Sequence, residues 1–346
     1  IEQFYMVTHD PVTRVSMIAA DEGGRPAEAA HRLFLLIFDE HHLASDSLMR
    51  VRKGAEAFVM AHIGPGDAAG VLVNGELYQN RLTTDKGALL AGVRAAKPAI
   101  ETRQSLLAPF REWPRIPSES DALRVAQGAR ELRADLAAAA CRQDPVLCEI
   151  EGRADEVQNV IERKARTYVR EARRLTGQTI STLNAVSDSL SKFAGRKTVV
   201  LMTEGFFAED SRATVERTAA RAARAGVTIY TIDGRGLTSK TGIPDVTAIG
   251  AQRSEVFDTG EDGPSILAAG TGGMMVRNLD DVTRAFGMVA RDTSTYYVIG
   301  YSPTRAKMDG KFRRIEVKAN PAGLEVRARR GYMATELPPQ ETIWKR

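Results

Sequence analysis

One acid, a second acid and two histidines follow directly after an apolar run in the segment LFLLIFDEHHL, residues 33–43. They are Asp39, Glu40, His41 and His42. Carboxylates and imidazoles are the side chains that bind metal ions and act as catalytic bases. The cluster therefore has three interpretations: a metal-dependent hydrolase using Asp39, His41 and His42, a ligand site built around a metal, or polar groups that only end a strand.

The apolar run before this cluster predicts a strand that is buried on both faces, as in a parallel sheet. Two later segments, GRKTVVLMTEG and GVTIYTIDGRG, have the same character and end at Glu204 and Asp233. Helical spacing separates these strands, which predicts an α/β fold with a doubly wound, mostly parallel sheet. Ligands bind at the carboxyl ends of strands in such sheets, so Asp39, Glu204 and Asp233 should share one rim.

Residues 100–195 differ from the rest of the chain because strand-like runs are absent and Ala, Arg, Glu and Leu dominate. Their apolar residues recur at steps of three and four, which predicts a long antiparallel helical hairpin inserted into the sheet domain. Two helices alone cannot bury a continuous apolar stripe. The spacing therefore predicts that the hairpin offers a surface to a partner.

The two cysteines, Cys141 and Cys148, flank an Asp-Pro turn at the expected tip of this hairpin. They can form a disulfide if the backbone folds back at that turn, which would imply an oxidising compartment. The alternative is a pair of free thiols in a cytosolic protein. A zinc site is disfavoured because the spacing is not C-x2-C and no histidine lies near.

Composition excludes several classes of function. The chain has 346 residues, is 43% apolar and 27% charged, and carries a formal net charge of +4. No uncharged apolar run approaches the roughly 18 residues of a membrane span. Nucleic-acid binding would need a larger basic patch or an aromatic stacking platform. Composition therefore predicts no membrane span in this chain and no nucleic-acid partner.

The order of these segments resembles the von Willebrand factor type A domain, and more closely the bacterial VWFA-related family common in Acidobacteria. The resemblance rests on RLFLLIFDEHHL, LTTDKGALLAGV, GRKTVVLMTEGF, AGVTIYTIDGRG, AGTGGMMVRNLDDVTRAF and the C-terminal TSTYYVIGYSP with DGKFRRIEVKAN and VRARRGY. Members of that family carry a long helical insertion before the GRK strand and a small β-domain before the A domain. The resemblance implies the same arrangement here.

Five segments follow from this arrangement and from the strand patterns. Residues 1–28 are expected to be the end of a small β-domain with a linker, and they include a β-hairpin. The others are the first part of the A domain (29–99), the helical insertion (100–195), the second part of the A domain (196–300), and a C-terminal β-hairpin with a tail (301–346).

The resemblance also implies a metal-ion-dependent adhesion site, but the sequence departs from its pattern. In A domains, D-x-S-x-S, a threonine and a closing aspartate hold Mg²⁺ and leave one position for a partner carboxylate. Asp39 matches the first aspartate, whereas His41 and Leu43 replace the serines and Glu204 replaces the closing aspartate. The threonine would fall near Thr179 or Thr182.

Three states of this rim follow. Magnesium could still bind, or a cation that accepts imidazole, such as Zn²⁺, Mn²⁺ or Ni²⁺, could bind to Asp39, His41 or His42, and Glu204. The favoured state is metal-free, with Asp39 and Glu204 hydrogen-bonded to neighbouring amides and hydroxyls. No cofactor is predicted beyond such a divalent cation.

The sequence therefore favours a non-catalytic protein-binding module with a degenerate metal site. A structural subunit of a larger envelope complex, docked through the helical hairpin, is the first alternative, and a metal-dependent hydrolase is the second. The cysteine pair and the resemblance both indicate an extracytoplasmic location, periplasmic or secreted.

Overall fold

The computed structural model describes residues 3–8, 16–19, 32–64, 66–146, 148–149, 153–193, 196–206, 211–237, 262–303, 307–319, 326, 328–329 and 331–334. Its strands are β1 (Gln3–Thr8), β2 (Ser16–Ala19), β3 (Leu33–Phe38), β4 (Ala68–Val73), β5 (Glu76–Leu77), β6 (Lys197–Thr203), β7 (Val227–Asp233), β8 (Met275–Val276), β9 (Thr295–Gly300), β10 (Phe312–Arg314) and β11 (Gly331–Met333). Its α-helices are α1 (Ser45–His62), α2 (Lys86–Ala95), α3 (Arg103–Arg111), α4 (Glu119–Ala126), α5 (Arg130–Gln143), α6 (Arg153–Leu190), α7 (Arg212–Arg224), α8 (Asp262–Thr271) and α9 (Val282–Ser294).

A six-stranded sheet forms the centre of the fold, with the strand order β5-β4-β3-β6-β7-β8. All neighbours are parallel except β5, which is antiparallel to β4. The predicted α/β class with a doubly wound, mostly parallel sheet is thus confirmed. The strand order reverses between β3 and β6, and the crevice at such a switch point is where open α/β sheets bind ligands.

Helices cover both faces of this sheet because its central strands are apolar on both sides. Phe34 and Leu36 of β3 belong to a core with α1, α2 and α9, whereas Leu33 and Leu35 belong to a second core with α6, α7 and α8. Alternate residues of a strand point to opposite faces. The continuous apolar run LFLLIF therefore serves two cores at once.

Among the described residues, the helical insertion contains four α-helices rather than the two of the predicted hairpin. The predicted number of helices was therefore wrong. The first arm is three helices, α3, α4 and α5, which pack with the N-terminal half of α6 around a third core that includes Ile161, Ala165 and Tyr168. Gly128, at a φ of +96°, separates α4 from α5 in a conformation that favours glycine. The apolar stripe of α6 is covered within the chain, so its burial requires no partner.

The long helix α6 connects the insertion to the sheet. It has 38 residues and is therefore about 57 Å long. Its C-terminal half contributes Ile180, Leu183 and Val186 to the core against the sheet, so one continuous helix joins the insertion to the sheet domain. Within the described residues, no helix is long and apolar enough to cross a membrane.

Cys141 and Cys148 form a disulfide, with Cα atoms 5.5 Å apart. The predicted pairing is therefore confirmed. The bond links the last turn of α5 to the segment that leads towards α6, and both cysteines pack against the core of the insertion. It closes the end of the insertion that lies furthest along α6 from the sheet.

Antiparallel strand pairs lie near both ends of the described part of the chain. β1 and β2 are antiparallel neighbours, although the turn between them lies outside the described residues. β9 pairs with β1, in the register Phe4 opposite Ile299, so a strand of the 196–300 segment joins the N-terminal hairpin in a three-stranded sheet. β10 and β11 form the C-terminal antiparallel pair.

Candidate functional site

Asp39 lies at the carboxyl end of β3, as the sequence predicted, and the strand order places it at the switch point of the sheet. It follows β3 directly, and its amide donates to the carbonyl of Met202 in the neighbouring strand β6 at 2.9 Å. The amide of His42 donates to the Asp39 carbonyl at 2.8 Å, which turns the chain sharply over the rim. Asp39 is only 6% exposed, so its carboxylate is directed into the protein.

Three side chains hold the carboxylate of Asp39. His42 Nδ1 lies 3.0 Å from Oδ1, and the Thr179 hydroxyl donates to the same oxygen at 2.9 Å. The Thr203 hydroxyl donates to Oδ2 at 3.0 Å. Thr179 comes from α6 and Thr203 ends β6, so the acid joins the insertion helix, the rim turn and the central strand. Both carboxylate oxygens are engaged inside the protein.

These contacts set the charge of Asp39. Burial by itself would raise its pKa, but the neighbouring His42 imidazole and the hydrogen bonds from His42, Thr179 and Thr203 together lower the pKa below its ordinary value of 3.8. Hydrogen bonds to the charged form stabilise that form. Asp39 is therefore ionised at neutral pH, and contacts inside the protein stabilise its charge.

Glu204 occupies the same rim but has a different partner. Its Oε1 accepts the amide hydrogen of Ala44 at 2.8 Å, and its own amide donates to the His42 carbonyl at 2.7 Å. Ala44 immediately precedes α1. An anion at a helix N-terminus is stabilised by the helix dipole and by the free amides there. Glu204 thus fixes the start of α1 against the end of β6.

His41 and Asp233, the remaining rim residues, also have local partners. His41 is partly exposed, and its Nδ1 lies 3.3 Å from the Glu101 carbonyl. Asp233 is buried and pairs with Arg235 at 2.6 Å. The structure therefore brings the predicted residues to one rim but gives each of them its own contacts.

In the part of the chain that the structure describes, no three His, Cys, Asp or Glu side chains are grouped to share a metal ion. The geometry fits the hydrogen-bonded rim better than a cation shared by Asp39, His41 and Glu204, because hydrogen donors occupy both Asp39 oxygens. The metal-ligand assignment of these three residues stays a prediction.

Glu40 and Thr203 are rim residues to which the sequence assigned no role. Glu40 is buried, and its Oε2 accepts the Asn74 amide hydrogen at 2.8 Å. Burial raises the pKa of Glu40 above its ordinary value of 4.5, although hydrogen bonds from the backbone amides of Asn74 and Lys97 act in the opposite direction and lower it. Both residues flank predicted site positions in sequence, but only their burial and contacts reveal what they do.

We expect Glu40→Gln to stabilise the protein at neutral pH. A carboxyl group whose folded pKa is raised destabilises the fold as pH rises through that pKa, and the penalty is absent below the unfolded value. The amide keeps the acceptor for Asn74 without the buried charge. Urea unfolding should show a gain of up to about 1 kcal/mol at pH 7, and no gain near pH 4.

Glu76→Gln is the matched control, because Glu76 is an exposed glutamate of β5, the strand that pairs with β4. It should change the free energy of unfolding little at either pH. A loss of stability in Glu40→Gln at pH 7 would show that Glu40 is needed as an anion.

A small cavity adjoins the rim cluster. It has room for a single water molecule, about 10 Å³. His42 and Phe206 line it from the sheet domain, and Arg103, Glu119 and Tyr168 line it from the insertion. Arg103 and Glu119 form a buried ion pair, and the Arg103 amide donates to the His41 carbonyl at 2.8 Å. The insertion and the rim are thus joined through polar contacts.

Comparisons with known proteins do not assign the chain to a family. A scan against protein-family models gives no match, and a search of curated proteins gives none either. Among solved structures, the chain is similar to an aerotolerance-related membrane protein from Bacteroides fragilis NCTC 9343 carrying multiple mutations to serines. The identity is 11%, the coverage is 76% of this chain and 100% of that one, and the TM-score is 0.37. A likeness at that score carries no weight for fold or function.

Proposed function

We propose that this chain is a non-catalytic protein-binding module of the von Willebrand factor type A class, acting in the cell envelope or outside the cell. The observation that carries the proposal is the state of Asp39. The residue that matches the first metal ligand of A domains instead holds His42, Thr179 and Thr203 by hydrogen bonds. A partner would then contact rim side chains directly rather than through a cation.

Two exposed apolar side chains at the rim could provide such contacts. Ile100 is fully exposed, and it lies between Ala99, whose amide donates to the Glu40 carbonyl, and Glu101, whose carbonyl contacts His41. Leu237 is 66% exposed and follows the end of β7. Protein interfaces are centred on a few apolar anchors surrounded by polar residues. Ile100 and Leu237 are the anchors that we assign to the rim.

The disulfide supports the extracytoplasmic part of the proposal. Disulfides such as that between Cys141 and Cys148 form and persist in oxidising compartments and are rare in the cytosol of mesophiles. The alternative of a structural subunit docked through the insertion is favoured by its separate core, because such an insertion could hold a second contact surface of its own.

The proposal can be tested by capture from solubilised envelope proteins of the source organism. The immobilised full chain is compared with Ile100→Asp and Leu237→Asp, with and without EDTA, and retained proteins are quantified by mass spectrometry. We expect one partner to be retained in EDTA and lost with either rim variant. Val146→Asp is the matched control, because Val146 is 70% exposed at the disulfide end of the insertion.

The other outcomes would contradict the proposal or favour one of the alternatives. Loss of the partner in EDTA would indicate a metal-dependent site and would contradict the proposal. Loss with Val146→Asp alone would favour docking through the insertion. Stoichiometric metal in the purified protein, with hydrolytic turnover that His41→Ala abolishes, would establish the hydrolase instead. Circular dichroism of every variant checks that its fold is unchanged.

A further inference from the structure

The outer face of α6 carries a stripe of arginines. Arg163, Arg166, Arg170 and Arg173 follow one another at steps of three, four and three residues, and all are exposed. Residues at this spacing lie on one face of a helix. The side chains of Arg166 and Arg170 are 64% and 69% exposed. We call these four residues the arginine stripe.

The stripe points away from the protein. Ile161, Ala165, Tyr168 and Leu175 are the buried residues of the same helix segment, and at 100° per residue they lie on the side of the helix opposite the stripe. The four arginines span ten residues of rise, about 15 Å. The stripe is therefore a straight, solvent-facing row of guanidinium groups on the surface of the insertion.

Positive charge is concentrated in this segment. Residues 162–174 contain six basic residues and two acids, a net charge of +4 that equals the formal net charge of the whole chain. The acids Glu162 and Glu171 do pair with Arg166 and Arg170. Such exposed pairs contribute little and exchange readily for other anions. The stripe keeps a local excess of positive charge.

The chemistry of the stripe favours phosphate groups over a protein surface. In the described residues of α6, no large apolar side chain is exposed, whereas protein interfaces have an apolar centre. Guanidinium groups bind phosphate oxygens through two parallel hydrogen bonds. A flat array of phosphates matches a straight row of arginines, because several headgroups can be contacted at once.

We propose that the arginine stripe binds the anionic phospholipid headgroups of a membrane surface and holds the helical insertion against it. This surface is separate from the rim that carries the proposed protein contacts. Each arginine near an anionic bilayer contributes about a fivefold increase in partitioning. Four arginines together are sufficient for reversible, salt-sensitive attachment without any membrane-spanning segment.

Vesicle flotation tests this proposal with the full chain. Vesicles of phosphatidylcholine alone are compared with vesicles that also contain phosphatidylglycerol, at low and at high salt. We expect the wild type to float only with the anionic vesicles and to be released by salt. Arg163→Gln combined with Arg170→Gln should weaken the partitioning about 25-fold.

Arg212→Gln combined with Arg217→Gln is the matched control, because both arginines are exposed on α7 and the change in net charge is the same. It should float like the wild type. Equal losses in both double variants would overturn the proposal, since net charge rather than the stripe would then govern binding. Equal flotation on both kinds of vesicle would also overturn it. So would absence of flotation together with stripe-dependent binding to polyglutamate, because the ligand of the stripe would then be an acidic protein surface. Unfolding midpoints of both variants exclude loss of fold as the cause.

Discussion

Replacing Asp39 by asparagine should lower the free energy of unfolding by about 3–5 kcal/mol, because it removes a buried charge on which three side chains depend. The asparagine side chain has an NH2 group in place of one carboxylate oxygen. That NH2 group would face a hydroxyl or imidazole that now donates to the carboxylate. At least one buried polar group would then lack an acceptor. Urea unfolding of wild type and variant at pH 7 measures the difference.

Asp188→Asn is the matched control for this change. Asp188 pairs with Arg221 at the surface, where both side chains are about half exposed, so the same substitution should cost less than about 1 kcal/mol. If Asp39→Asn also costs less than about 1 kcal/mol, the contacts of Asp39 contribute no more to stability than a surface ion pair does. The rim would then not be held together by this acid.

The pH dependence of the Asp39 effect has a defined sign. The folded pKa lies below the ordinary value of 3.8, so the stabilisation is complete above that value and is lost as pH falls through the folded pKa. The difference between wild type and Asp39→Asn should therefore be constant from neutral pH down to about pH 5 and shrink below about pH 4. A difference that grows on acidification would contradict the assignment.

Replacing Glu119 by glutamine should have the second large effect, a loss of about 3 kcal/mol. Glu119 is 1% exposed and Arg103 is 7% exposed, so the substitution removes the carboxylate charge from a buried ion pair. The buried pair lies between the insertion and the rim, next to the cavity lined by His42. Thermal and urea unfolding both report the loss.

Two further variants separate charge from packing at this pair. Glu56→Gln alters an exposed pair with Arg94 and should cost less than about 1 kcal/mol. The double variant Arg103→Met with Glu119→Leu should recover much of the loss, because replacing both members of a buried pair by apolar residues is often neutral. If the double variant is less stable than Glu119→Gln, packing or the remaining hydrogen bonds contribute more than the lost carboxylate charge.

Internal polar contacts stabilise the rim. Asp39 ties α6 and β6 to the rim turn, and Arg103 ties α3 to the same turn through the His41 carbonyl. Replacing Asp39 or Glu119 should therefore weaken the attachment of the insertion to the sheet domain. That attachment is what would keep the rim anchors and the arginine stripe in a fixed relation.

Local patterns were enough to predict much of the fold. Runs of apolar residues located β3, β6 and β7 and placed Asp39 at the end of β3, because strands buried on both faces require continuous apolar sequence. The turn between Cys141 and Cys148 was enough to predict their disulfide. The two-helix hairpin failed because periodicity marks a helix but does not say which other helix covers its apolar face.

The sequence by itself determined the α/β class, the rim on which Asp39, His41 and Glu204 lie, and the cysteine pair, since these follow from residue types and spacing within short segments. Only the tertiary structure decided what those rim residues contact, including which of the two threonines that the resemblance suggested, Thr179 or Thr182, reaches Asp39. Thr179 reaches Asp39 across 140 positions of sequence and Ala44 reaches Glu204 across 160. Such contacts depend on how helices pack on the sheet, and packing is fixed by the whole core rather than by any local pattern.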